Sequence, residues 1–353
     1  MSSSKILLGQ IAPQRSTQYA ALATDLAPAE LLLSPFGQRI QAIVPCELGD
    51  QTYLRIEMSA PLTDDERHTL GTLAMTSGYF FLYDQIGERE GPFLLPIESG
   101  FIPQQPLELS MARRYKGKTN ELFTQWLCNI AKFSSAFSKT NWSDLTVIDP
   151  LSGGGTTLFV ALVLGAGTVA GVEQDLHNSK STASFLQQFA QEKRISARLK
   201  EERLKKLGRR WTVSVAPIVP TTDHEGLSKA ERERRRQTAL FASGDTVDAR
   251  QLLPGIKAHL IVTDLPYGIQ HGSKHPGRIR TLLEAALPVW ASMLRRGGTL
   301  VMAWDATTIS RKQMHSVVAE NSDLSVLHES PYDQFEHRVD RVIKQRDVLV
   351  ARR

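Results

Sequence analysis

Cysteine is almost absent: Cys46 and Cys128 are the only two in 353 residues, far apart and in apolar surroundings. That excludes a disulfide framework and a cysteine-based metal site, and makes a reducing cytoplasm the expected location. Long hydrophobic runs are also lacking. The most apolar stretch, Leu158–Gly165, falls far short of the roughly 20 residues needed to span a bilayer. The opening Met1-Ser2-Ser3-Ser4-Lys5 leads into a brief Ile-Leu-Leu run without an h-region or a cleavage-type end, so no secretory signal is expected. No His/Cys/Asp/Glu set has metal-ligand spacing, and Ser152 lacks the G-x-S-x-G context of a nucleophile. What remains is an ordinary globular composition, 41% hydrophobic and 22% charged, with a length that suits two domains.

Net charge is small except in one place. The segment from residue 191 to 240 holds 14 Lys/Arg against 7 Asp/Glu, a net of +7, which leaves the rest of the chain at −2 of a total of +5. That segment contains two helical-looking charge runs, Glu192–Arg210 and Ser228–Arg236, around a loop-like strip, Val213–Thr222, with Arg194–Arg236 as the basic insert proper. A helical hairpin is expected there, either solvated or facing RNA.

Two domains are expected, 1–108 and 109–353. In the first, alternation over Arg39–Val44 and Thr52–Met58 predicts strands, and Tyr19–Leu32 and Asp64–Ser77 read as helices. Pro92, Pro96, Pro103 and Pro106 read as a linker. In the second, strands at Leu145–Ile148, Thr168–Val172, Ala258–Thr263 and Thr299–Ala303 alternate with helices at Thr157–Leu164 and Arg280–Leu294. His337–Ile343 and Asp347–Ala351 alternate as an antiparallel hairpin would. The fold class is therefore α/β: a Rossmann-like, doubly wound, mostly parallel sheet with an antiparallel C-terminal hairpin, plus a smaller α+β N-terminal domain.

Asp149-Pro150-Leu-Ser-Gly153-Gly154-Gly155-Thr-Thr lies where an open α/β sheet places its ligand, just past the first strand. Glycines there let the backbone approach a ligand closely, and Glu173, ending the next strand, is placed to accept from a ribose hydroxyl pair. A dinucleotide, a nucleoside triphosphate or S-adenosylmethionine all fit such a turn. A strict G-x-G-x-x-G fails at Leu158, and Gly117-Lys118-Thr119 is no phosphate loop, because Ala112 stands where glycine is required. The remaining pattern suits a nucleoside with a non-phosphate tail.

A second constellation, Asp264-Leu265-Pro266-Tyr267-Gly268, follows a buried-type strand. Exocyclic amino groups of nucleobases are poor nucleophiles, because the lone pair is delocalised into the ring. A carboxylate and a main-chain carbonyl accepting both N–H bonds favour the pyramidal nitrogen and accommodate its developing charge. Pro266 fixes the backbone so that the Leu265 carbonyl points inward, and Tyr267 offers a stacking face. Asp264 as a helix cap and Tyr267 as core are the structural alternatives. His271, His275 and Arg278 in the following loop read either as phosphate contacts or as plain surface, and Trp304 as a packed side chain ahead of a substrate contact.

These two motifs resemble motifs I and IV of class I S-adenosylmethionine-dependent amino-methyltransferases. The closest resemblance is to the THUMP-associated tRNA guanine-N2 methyltransferases, although residues 1–105 carry no recognisable THUMP signature. Arg114-Tyr-Lys-Gly-Lys-Thr119-Asn120 looks like motif X of that family. The resemblance implies S-adenosylmethionine as cofactor, held by Thr119, Asn120, Asp149, Pro150, Gly153, Gly154, Gly155 and Glu173. It also implies an adenine-binding acid after the third strand, and Asp248 fits better than Asp245. Asp264, Leu265, Pro266 and Tyr267 are the implied catalytic set, acting on a nucleobase amino group, with guanine N2 of tRNA or rRNA first. DNA adenine or cytosine amino groups, and a non-catalytic RNA-binding protein on this scaffold, are the alternatives.

Overall fold

The computed structural model describes residues 5–13, 22–115, 117–204, 207–218, 228–266, 276–339 and 344–353. The chain forms two units. Met1–Ile102 and Glu329–Gln345 make the first, Pro103–His328 and Arg346–Arg353 the second.

The first unit is built on an antiparallel sheet. Its elements are β1 (Ile6–Ile11), α1 (Leu22–Leu33), β2 (Ile40–Leu48), β3 (Gln51–Met58), α2 (Asp64–Leu70), β4 (Thr76–Ile86) and β5 (Arg89–Pro96), and the strands lie in the order β2-β3-β1-β4-β5. A Thr63/Glu66 capping box starts α2, as the hydrophilic run from Asp64 suggests. That helix stops at Leu70 instead of Ser77. The buried Glu30 carboxylate on α1 draws in the Ala74 and Met75 amides, Ala74 at 3.0 Å and Met75 at 3.1 Å, and turns the chain into β4. The proline-rich linker is likewise corrected. Pro92 and Pro96 lie within β5, the edge strand, where a missing N–H costs no ladder bond.

The second unit carries α3 (Glu108–Ala112), α4 (Glu121–Ser134), β6 (Thr146–Asp149), α5 (Thr156–Leu164), β7 (Thr168–Glu173) and α6 (Leu176–Glu192). It continues through β8 (Ala197–Leu204), β9 (Gly208–Val215), α7 (Lys229–Arg234), β10 (Gln237–Ser243), α8 (Ala249–Leu252) and β11 (Ala258–Asp264). Next come α9 (Pro276–Met293), β12 (Leu294–Asp305), α10 (Arg311–Asn321) and β13 (Ser325–Leu327). β14 (His337–Arg338) belongs to the segment grouped with the first unit, and β15 (Gln345–Arg352) ends the series.

Nine strands follow the order β13-β15-β12-β11-β6-β7-β10-β9-β8. The central five, β12 through β10, are parallel, and β15 runs antiparallel to both β12 and β13. The Rossmann-like expectation holds, with the C-terminal β15 antiparallel between β12 and the outer β13; of the expected hairpin strand His337–Ile343 only His337–Arg338 is strand, and residues 340–343 lie outside the described residues. Buried parallel strands need cover on both faces. Leu283, Leu287 and Trp290 of α9 belong to one fully buried cluster with Ile261, Leu300 and Met302. Every residue of α5 is buried, which explains why it is apolar all round.

The insert differs from expectation. Glu192–Arg210 is not a helix: α6 ends at Glu192, and β8 and β9 form an antiparallel ribbon that extends the sheet beyond β10. Lys, Glu and Arg favour helix locally, but Trp211, Val213 and Val215 on β9 alternate into the core and impose the strand period. Charge on β8 then protects an open sheet edge. Ser228–Arg236 does contain a helix, α7, started by a Ser228/Glu231 capping box. Of Val213–Thr222, read as loop, Val213–Val215 is strand, and residues 219–222 lie outside the described residues.

Candidate functional site

The doubly wound order sends the chain from β6 outward through β7 to β10, and then back to β11 on the other side of β6. Ligands bind at such a switch point, beyond the carboxyl ends of the strands. Asp149 ends β6, Glu173 ends β7, Asp264 ends β11, and Asp245 and Asp248 follow β10. Sheet register places Asp149 opposite Gly171 and Glu173 opposite Ser243. Acids distant in sequence thus share one edge.

The turn after β6 has a left-handed backbone at Gly153 (φ 48°) and Gly155 (φ 87°). A Cβ on Gly153 would meet nothing within 4 Å, so the turn is open there. Gly154 faces the opposite constraint: a Cβ would lie 2.3 Å from two ring atoms of Tyr115. That ring is fixed through its hydroxyl, which pairs with the Thr156 hydroxyl. Arg113 stacks on Tyr115 at 5.4 Å, donates to the Gly154 carbonyl, and reaches Thr182 Oγ1 at 2.6 Å and Ser181 Oγ at 2.8 Å. The segment before Asn120 is therefore clasped onto the glycine-rich turn.

Asp149 is buried and accepts the Leu151 amide at 3.1 Å. Burial pushes its carboxyl pKa up to about 6, against the pull of hydrogen bonds from the Thr157 hydroxyl and the Leu151 amide, and the nearby Asp264 charge pushes the same way. A raised carboxyl pKa means the native state holds the proton more tightly than the unfolded chain. The stabilising contribution is fully present below about pH 4 and lost as the pH rises through about 6, a change of up to about 3 kcal/mol. Urea unfolding between pH 4 and 7 is expected to show this loss, and Asp149→Asn to remove it. An Asn variant with an unchanged pH slope contradicts the assignment.

Asp264 Oδ2 accepts the Thr119 hydroxyl at 2.7 Å, so the segment before α4 and the end of β11 meet at this carboxylate. Leu265 is buried, and its amide donates to the Ala303 carbonyl at 2.9 Å. Pro266 is half-buried. Tyr267, His271 and His275 lie outside the described residues. Asn120 caps α4, accepting the Phe123 amide at 3.0 Å. Glu173 Oε1 accepts the Asp175 amide at 2.8 Å. Asp245 is exposed and caps the turn at Val247, while Asp248 is half-buried and accepts from the Gln251 side chain at 3.2 Å.

Residues 134–330 match the family described as RMKL-like, methyltransferase domain, which is more than half of the chain. The chain belongs to the RMKL-like methyltransferase family. Membership implies S-adenosylmethionine as the methyl donor, and the open turn at Gly153 beside acids at three strand ends fits a nucleoside of that kind. Solved structures similar to this methyltransferase include TrmN from Thermus thermophilus, at 11% identity and TM-score 0.43, with 99% of each chain covered. A methyltransferase homologue from Pyrococcus horikoshii shares 10% identity at TM-score 0.41, covering 99% of this chain and 87% of its own. The T. thermophilus 16S rRNA N2 G1207 methyltransferase RsmC, solved with AdoMet and guanosine, shares 15% identity at TM-score 0.34, covering 99% and 64%. No curated protein sequence matches.

Sequence reading missed two groups at the site. Arg113 precedes the motif read at Arg114, and nothing local marks it as the clasp. Arg346, on β15, places its guanidinium 3.7 Å from Asp264 Oδ2. Trp304 is buried and donates to the Ile309 carbonyl at 2.8 Å, a packing role. Arg278 is exposed in the first turn of α9. Among the described residues, no helix is long and apolar enough to cross a membrane.

Proposed function

We propose that this methyltransferase transfers a methyl group from S-adenosylmethionine to an exocyclic amino group of a nucleobase, guanine N2 in a structured tRNA or rRNA, in the cytoplasm. The observation that carries the reading is the placement of Asp264 at the end of β11, next to β6 with its glycine-rich turn. An amino-group acceptor and a nucleoside cradle on adjacent strands are what methyl transfer to nitrogen requires.

The cofactor supplies, when bound, a methyl group on a positively charged sulfur. In this reading Asp149, Pro150 and Gly153–Gly155 would hold it, with Asn120 from the preceding segment. Glu173 accepts from the ribose hydroxyls, and Asp248 is the adenine acid ahead of Asp245. The target base is turned out of its stack into a pocket over Asp264 and Pro266, with Tyr267 as its stacking partner. Asp264 and the Leu265 carbonyl accept the two amino N–H bonds, so the nitrogen lone pair faces the methyl group. Catalysis is by positioning and by stabilising developing charge, without a covalent enzyme adduct.

RNA contact is assigned to the basic insert, but its charges are not equivalent. Arg209 and Arg210 pair with Glu201 and Glu202 at 2.8 and 2.7 Å, and Arg198 pairs with Glu233 at 2.9 Å. Arg236 is turned inward, onto Ser214 Oγ at 2.8 Å and the Ser196 carbonyl at 3.0 Å. Arg232, Arg234 and Arg235, exposed on and just after α7, are the arginines to test. Changing these three to glutamine is expected to weaken RNA binding several-fold and to flatten its salt dependence by up to about three phosphate contacts. A salt titration unchanged by the triple substitution shows that the RNA is held elsewhere.

The reaction itself is tested with S-adenosylmethionine carrying a labelled methyl group, offered bulk RNA and bulk DNA in parallel. Label entering RNA supports the reading. Label entering DNA alone replaces it with a DNA amino-methyltransferase.

A further inference from the structure

Arg346 is a buried cation whose position follows from topology. β15 runs antiparallel to β12, with Arg346 opposite Asp305, so this strand begins at the edge where the parallel strands end. Its second residue is thereby delivered to the ligand edge. Arg346 is 2% exposed, and a guanidinium removed from water to that degree is costly unless it is matched by a negative charge. Asp264 supplies such a charge, its Oδ2 lying 3.7 Å away. The Arg346 plane is supported by the Phe123 ring, 4.6 Å from the guanidinium carbon, and Phe123 in turn stacks on Trp126 at 5.9 Å. Phe123 lies on the first turn of α4, the helix capped by Asn120 and preceded by Thr119. One short segment therefore supplies both a hydroxyl donor to Asp264 and the platform beneath its cation.

We propose that Arg346 and Thr119 are positioning residues for Asp264, which fix one carboxylate oxygen, Oδ2, so that the carboxylate is presented to the amino group of the substrate in a single orientation. This rests on the reading of Asp264 as the amino-group acceptor. It assigns Thr119 to the carboxylate instead of the cofactor, and it gives β15 a task in the site. Two contacts on the same oxygen, from the segment before α4 and from β15, restrict the carboxylate's rotation, the orientational freedom that otherwise dilutes the reactive geometry. Arg346 also offsets the concentration of negative charge at this edge, where Asp264 already acts on buried Asp149.

The test compares Arg346→Met, Arg346→Lys, Thr119→Val and the Thr119→Val/Arg346→Met double variant. S-adenosylmethionine affinity is measured by calorimetry, and kcat and KM by labelled methyl transfer into RNA that the wild-type enzyme methylates. Arg346→Met is expected to lower kcat about 100-fold and Thr119→Val about 10-fold, with cofactor Kd and RNA KM within about threefold of wild type. Arg346→Lys should recover about 10-fold over Arg346→Met, and the double variant should fall short of the product of the single effects. Unchanged kcat in Arg346→Met overturns the proposal. So does a parallel loss of kcat and cofactor affinity, or an Arg346→Lys variant no better than Arg346→Met, since either marks a packing role. If Arg346→Met does not fold, Arg346→Lys and Thr119→Val decide by the same split of kcat from Kd. Absence of transfer by the wild type sinks the functional reading and this proposal together, whereas wild-type turnover with unaffected variants sinks only the proposal.

Discussion

Asp264→Ala is expected to lower methyl transfer by at least about 1,000-fold while leaving S-adenosylmethionine affinity within about twofold of wild type. The carboxylate stands at the end of β11, and its partners include the Thr119 hydroxyl and the Arg346 guanidinium. Those groups hold it, but in the proposed mechanism its work is done on the nitrogen of the substrate. Removing a preorganised acceptor of developing charge commonly costs about 100- to 1,000-fold in kcat. Here the same change also removes a negative charge 3.7 Å from the buried Arg346 guanidinium, which adds to the loss. Asp264→Asn keeps the side-chain shape but removes the same charge, so it should lose about as much turnover as Asp264→Ala, and any difference between the two variants reports packing alone. Calorimetry for the cofactor and a labelled-methyl assay for turnover give the comparison, and loss of cofactor binding in Asp264→Ala would show that the residue is structural.

The second large effect is expected from the smallest change, Gly154→Ala. One methyl group there would lie 2.3 Å from Tyr115, whose ring is held by Thr156 through its hydroxyl and by Arg113 across its face. Neither partner yields cheaply, so the glycine-rich turn must move. Cofactor affinity should fall about 10- to 100-fold, equivalent to about 1.4–2.7 kcal/mol. Truncating the obstacle should restore part of it: the Gly154→Ala/Tyr115→Ala pair is expected to bind better than Gly154→Ala alone. A double variant no better than the single one would show that the cradle is not shaped by this contact.

Four of the five central strands, all but β10, were readable because strands buried on both faces are written as short apolar runs, and β6, β7 and β11 each end at an acid. Ala258–Thr263 followed by Asp264, and Thr168–Val172 followed by Glu173, differ from the observed β11 and β7 only in that the acid is the last strand residue. The glycine-rich turn was equally visible, because left-handed backbone leaves a compositional trace. The insert was misread because its charged residues carry strong helical preference, while the decision is made by β10, which offers an open edge, and by three apolar residues on β9. Pro92 and Pro96 misled for a related reason: proline forbids a central strand but not an edge one. Arg346 could not be found locally, since its meaning comes from an antiparallel strand that starts at the ligand edge far along the chain. Long-range register is the information that a linear pattern omits.

The most direct measurement of the central claim is quantitative nucleoside mass spectrometry of RNA and DNA from a strain lacking the gene, its parent, and the strain complemented with Asp264→Ala. Loss of N2-methylguanosine from tRNA or rRNA in the deletion, restored by the wild-type gene but not by Asp264→Ala, is the predicted result. Full N2-methylguanosine in every RNA fraction of the deletion strain, or a loss confined to methylated DNA bases, would contradict it.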